Sequence, residues 1–100
     1  MTPPRVLTSV TLLVPEDRSA EVPAAFRALV DAHPVPAGLL RSELLRAQDG
    51  RWLVQTVWRD RDAVLAARDA GARPAALLLA DQLGATHTHD VLTVEATLEP

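Results

Sequence analysis

The sequence contains no cysteine and no tyrosine. The first absence removes disulfides, thiolate nucleophiles and cysteine-ligated zinc. The aromatic residues are Phe26, Trp52 and Trp58 alone, so alanine and leucine must fill most of the core. There is no block of like charge: acid and base alternate along the chain, and the net charge is −3. Binding nucleic acid through counterion release needs a basic stripe, so nucleic acid is not an expected partner. No apolar run approaches the roughly 20 residues that span a bilayer, and no membrane is expected either. The opening Met1-Thr2-Pro3-Pro4-Arg5 lacks the basic start, apolar stretch and small-residue cleavage site of a secretory signal. The default expectation is a cytoplasmic protein. Gly38, Gly50, Gly71 and Gly84 are scattered singly, so no glycine-rich phosphate loop is present. No nucleophile elbow surrounds any serine.

What remains is a chain of 100 residues with a hydrophobic fraction of 48%. That length predicts a single domain over residues 1–100. Such a chain buries only about 60–70% of its unfolded surface, so it would gain from dimerisation.

Residues 5–14, RVLTSVTLLV, are rich in β-branched types and place Val6, Thr8, Val10, Leu12 and Val14 on one face. This predicts a first strand, ended by Pro15. Glu16, Asp17, Arg18 and Ser19 suit a helix start. Val22, Phe26, Leu29, Val30 and His33 then recur at helical spacing, predicting a helix from about Ala20 that stops before Pro34. Leu39 to Ala47 and Arg51 to Arg59 are strand-like runs around Asp49-Gly50, the strongest short hairpin signal. Asp60 is a suitable N-cap for a helix over Arg61 to Ala70, with Gly71 as its C-cap. Pro74 opens a further short helix, Ala75 to Leu83, which Gly84 ends. Thr86 to Leu98 is β-branched again and predicts the last strand.

The order strand, helix, strand, strand, helix, strand is the split βαβ pattern of an α+β, ferredoxin-like domain. It predicts a four-stranded antiparallel sheet in the order fourth, first, third, second, with the helices on one face. The other face would lie open, and a second copy packed against it as an isologous homodimer would cover it.

Four passages resemble the antibiotic biosynthesis monooxygenase family. They are VTLLVPEDRSAEVPAAFRALVDAH, PAGLLRSELLRAQDGRWLVQTVWRDRDAVLAA, PAALLLADQLG and HTHDVLTVEA. The second holds the family's Pro/Gly loop, its Asp-Gly hairpin, the tryptophan ending the third strand (Trp58) and the acid-capped helix that follows. The resemblance implies a dimeric α/β barrel and an oxidation that needs no metal, haem or flavin, so no cofactor is expected. It implies a small aromatic molecule as substrate, such as a polyketide intermediate that itself supplies the electrons. Where aromatic-polyketide oxidisers carry Asn four residues before the tryptophan and Tyr six after it, this chain has Val54 and Val64. Where haem-degrading relatives carry His ten residues after it, this chain has Arg68. Relatives on the same scaffold include cyclases, isomerases and non-catalytic domains. A non-catalytic accessory or binding domain is therefore the alternative to a monooxygenase-like enzyme, and a cyclase or isomerase is a third.

Trp58 shares a strand face with Val54, Thr56 and Trp52. It either plugs the core or forms the wall of a cleft, where it could stack on an aromatic ligand. Trp52, at the hairpin start, is expected near solvent or at a dimer contact, in a packing role. His87 and His89 alternate along the last strand and share a face. Either is a candidate base toward a phenol; the bland reading is a polar strand end. A metal needs three or four ligands, and with only His33 in addition, no metal site is expected. His33 suits the C-terminal end of its helix or a pocket. The candidate catalytic set is thus His89, His87 and Trp58. Trp58, Phe26, Val54, His33, Leu78 and Arg68 are the candidates to contact substrate. Solid packing of Phe26, Leu77, Leu78 and Trp58 between helices and sheet would instead favour the binding domain.

Overall fold

The computed structural model describes residues 2–71 and 73–100. Strand β1 (Val6–Leu13) leads into a 3-10 turn over Glu16–Glu21 and helix α1 (Val22–Ala32). The α-helix starts two residues later than its amphipathic pattern suggests. Pro23 lies in its first turn, where a missing N–H costs nothing, and the preceding acidic stretch winds more tightly. Strands β2 (Leu39–Arg46) and β3 (Trp52–Trp58) form the hairpin, followed by α2 (Arg61–Asp69), α3 (Ala75–Leu83) and β4 (Thr86–Thr93). The expected break between α2 and α3 includes Ala72, which lies outside the described residues.

The four strands form one antiparallel sheet in the order β2-β3-β1-β4, the order that the split βαβ pattern predicts. β4 is shorter than its β-branched run. Its ladder ends at Thr93, and one further bond, from Val94 N–H to Arg5 O at 2.9 Å, continues the pairing. Beyond that β1 offers no partner, because its own strand begins at Val6.

The helices cover one sheet face in two patches. In the larger, Val10, Leu12, Trp52 and Val54 of the sheet pack against Val22 of α1 and Ala76, Leu79, Ala80 and Leu83 of α3. Leu79 and Leu83, one turn apart, are fully buried, as a core-facing helical stripe requires. In the smaller patch, Val6 and Trp58 meet Ala63 and Val64 of α2. Trp52 is not at the rim as expected. It sits on the inward face, only 7% exposed, with its indole N–H donating to Ser19 Oγ at 3.0 Å. The period of two along β3 puts it on the same side as Trp58, and the 3-10 turn closes over it.

Two local devices hold α2 in place. Asp60 is extended (φ −164°) and its Oδ1 accepts the Ala63 N–H at 2.9 Å, the N-cap that the sequence predicts. Gly38 has φ +83°, and a Cβ placed there would lie 2.5 Å from Ala63 Cβ. Only glycine permits both that conformation and that approach. Gly38 O in turn accepts the Arg59 N–H at 2.8 Å, tying the loop before β2 to the end of β3.

Candidate functional site

The strand register arranges the inward sheet face in four rows. One row holds Leu39, Trp58, Val6 and Thr93. The next holds Ser42, Thr56, Thr8 and Val91, then Leu44, Val54, Val10 and His89, then Arg46, Trp52, Leu12 and His87. The second row is hydroxylic in three of its four places. It runs between the two apolar patches, so the polar groups lie beneath the junction of α2 with the α1–α3 pair.

These hydroxyls are engaged. Ser42 Oγ and Thr56 Oγ1 are 3.0 Å apart and share a hydrogen bond. Thr8 Oγ1 accepts the indole N–H of Trp58 at 3.0 Å. No buried side-chain polar atom among the described residues lacks a partner. Thr8, Thr56 and Ser42 thus form a polar row beneath the helices that the sequence reading did not single out. The signal was present but weak: a threonine or serine at an inward position of a largely apolar strand face.

The structure distributes the sequence-derived candidates as follows. Trp58 is 8% exposed and belongs to the smaller patch. Val54 is buried in the larger patch, and Phe26 packs half-buried against it. Leu78 is half-buried on α3. His33 ends α1, is exposed, and donates Nδ1–H to Leu29 O at 2.8 Å. His87 and His89 lie on the helix side of the edge strand β4, opposite Leu12 and Val10, and both are exposed. Val54 and Phe26 are thus brought together, and the two histidines flank their patch. Two strand spacings and four residues of rise put the His89 backbone about 16 Å from that of Trp58. Arg68 stands on α2 beside the Trp58 patch.

Two hollows adjoin these elements. One, of about 260 Å³, is a groove between α2 and the β4 edge, lined by Val6, Arg61, Val64, Leu65, Arg68, Val91 and Thr93. It shares Val6 and Val64 with the Trp58 patch. The other, of about 470 Å³, lies between residues 2–5, residues 94–97, Leu40 and Arg59. Among the described residues the buried polar ones are Ser9 and Thr56, so the interior holds hydroxyls and two indole N–H groups but no titratable group. At the start of α2 the Ala63 N–H and then the Arg59 guanidinium hold the Asp60 carboxyl below the usual carboxylate range. No cluster of three or more metal-ligating side chains occurs among the described residues. No helix among them is long and apolar enough to cross a membrane.

The model of the family described as antibiotic biosynthesis monooxygenase matches residues 5–76. The chain belongs to that family. Its matched span runs from β1 into α3 and so contains Trp58, the hydroxylic row of β1, β2 and β3, and the α2 face of the groove. Among solved structures, it is similar to SnoaB from Streptomyces nogalater, a cofactor-independent oxygenase, in a variant with one asparagine changed to alanine. The identity is 28% over 96% of this chain and 98% of that one, with a TM-score of 0.71. A second SnoaB structure matches at 27% identity over the full length of both chains, with a TM-score of 0.58. PA3566 from Pseudomonas aeruginosa shares the fold at 18% identity, over 96% and 99% of the two chains, with a TM-score of 0.68. No curated protein sequence gives a significant match.

Proposed function

We propose that this chain is a cofactor-independent monooxygenase-like enzyme acting on an aromatic natural-product intermediate. The observation that carries the reading is the near full-length similarity to SnoaB, a cofactor-independent oxygenase, on a scaffold that keeps the strand-end Trp58. The substrate would lie between sheet and helices, near the junction of the two apolar patches. There Trp58 offers an aromatic wall, while Phe26, Val54 and Leu78 exclude water. The Thr8–Trp58 hydrogen bond holds the indole plane.

The chemistry balances without an external reductant. A ring methylene of an anthrone-type substrate loses a proton, the carbanion gives an electron to dioxygen and the two radicals join in a C–O bond, and the peroxide anion takes a proton back. The resulting hydroperoxide gives up water to leave a carbonyl. One oxygen atom ends in the product and one in water. Proton removal is the step a protein assists. His89 and His87 are the imidazoles nearest the inward face, and His33 is the third candidate. Their exposure suits a base that exchanges protons with solvent. Arg68 would orient the substrate from α2.

A homodimer completes the proposal. Leu7, Leu53 and Val57 lie half-buried on the open sheet face beside the exposed Leu13, Leu45 and Leu92. A second copy packed sheet to sheet would cover them, with Arg41 and Glu43 at the rim.

The test is turnover of an anthrone under isotopically labelled dioxygen, with chelator and no added cofactor. One labelled oxygen per product molecule supports the reading. Unlabelled product, or none beyond the autoxidation blank, refutes it. A second reading, a non-catalytic binding domain, is favoured by one observation: Val54 and Val64 are tightly buried, at 3% and 6% exposure, where polyketide oxidisers place polar side chains.

A further inference from the structure

All ten basic side chains of this acidic protein are arginines, and their pairing is uneven. Arg18, Arg41, Arg51, Arg59 and Arg73 each meet a carboxylate. Arg61 and Arg68 form no ion pair among the described residues, yet both line the groove between α2 and β4. They are seven residues apart, with Val64 and Leu65 between them. The spacing i, i+3, i+4, i+7 puts all four on one helix face, with the arginines about 10 Å apart along the axis. The opposite wall is Val91 and Thr93 of β4. Leu65 and Val91 remain 42% and 47% exposed, so apolar surface is uncovered on both walls. No carboxylate lines the groove.

An apolar trough flanked by two uncompensated guanidinium groups, in a chain of net charge −3, selects for a particular chemistry. A flat apolar body can displace water from Leu65 and Val91. An anionic group can take arginine's paired N–H donors, which fit a carboxylate in bidentate fashion. The volume, about 260 Å³, falls just below the roughly 300–1,000 Å³ of small-molecule sites. It therefore limits the ligand to one or two rings. The apolar majority of the lining disfavours a bare inorganic anion.

We infer that this groove is a binding site for a small aromatic carboxylate, its rings on Val64, Leu65 and Val91 and its carboxylate held by Arg61 and Arg68. The inference concerns binding alone and stands whether or not the chain consumes oxygen. It is tested by calorimetric titration of the full chain with 2-naphthoate and with its neutral isostere 2-naphthamide, at low ionic strength. The expected result is that naphthoate binds about tenfold or more tightly than the amide, a difference of about 1.4 kcal/mol or more. The preference is lost in the double variant Arg61→Gln, Arg68→Gln. Should that variant fail to fold, Leu65→Glu, which sets a carboxylate in the groove, is expected to weaken naphthoate by the same factor. Equal binding of the two compounds, binding of neither, or a preference that survives these substitutions would overturn the inference.

Discussion

The indole N–H of Trp58 donates to the hydroxyl of Thr8 across two neighbouring strands, at 3.0 Å. The two residues are not direct register partners: Trp58 faces Val6, and Thr8 faces Thr56. The bond is therefore diagonal. It fixes the plane of the one large aromatic side chain in the smaller apolar patch. It also satisfies a donor that would otherwise be orphaned in a largely apolar setting.

Replacing Thr8 by Val keeps the shape but leaves that donor without a partner. The expected loss of stability is about 1–3 kcal/mol, read by chemical denaturation. Trp58→Phe removes the donor instead, and the double variant is expected to be less destabilised than the sum of the two. Strict additivity would show that the bond contributes nothing. Trp58→Ala, which empties a core position, is expected to cost about 3–5 kcal/mol.

Gly38 has both a left-handed backbone and the Ala63 methyl group against it. Gly38→Ala is expected to destabilise by about 1–3 kcal/mol, since either feature alone is unfavourable for a side chain. Gly50 also has positive φ but meets no atom within 4 Å, so Gly50→Ala is expected to cost less. Equal effects at the two sites would rule out the contact with α2.

Asp60 gives a pH-dependent prediction. Its carboxyl is held low, first by the Ala63 N–H and then by Arg59. A group with a depressed folded-state pKa stabilises the fold above its ordinary value and loses that effect as pH falls through the depressed one. Asp60→Asn keeps an amide oxygen as cap but removes the charge. Its Tm is expected to lie below wild type at neutral pH. The gap should close on the acid side of the usual carboxylate range. A gap that persists there would assign the effect to packing.

The proposed dimer is checked by sedimentation equilibrium. The expected mass is twice the 10.8 kDa of the chain. Leu53→Arg, on the open sheet face, is expected to give a monomer. A wild-type monomer at micromolar concentration would remove the sheet-to-sheet pairing.

Much of the fold was legible in the sequence because its signals were local. Pro15, Asp49-Gly50 and Gly84 end or turn an element through their own backbone chemistry, and Asp60 starts one through its side-chain cap. The alternation of β3 alone placed Trp58 with Val54 and Thr56 on one face. What was not legible depends on register and on tertiary closure. The row of Ser42, Thr56 and Thr8 exists only once three strands are aligned. Trp52 was expected near solvent because the 3-10 turn that covers it is far away in sequence. The true end of β4 depends on where β1 begins, which β-branched composition cannot reveal. The placing of Arg61 and Arg68 along one wall of a groove likewise needs β4 as the opposite wall.

The central claim is oxidation by dioxygen without a cofactor. The most direct measurement is oxygen uptake by the purified chain with an anthrone substrate, in the presence of a chelator. The account predicts uptake that saturates with substrate above the autoxidation blank and falls when His89 and His87 are both replaced by Gln. Uptake no greater than the blank, in a preparation that binds the same anthrone, would contradict it and leave a binding domain.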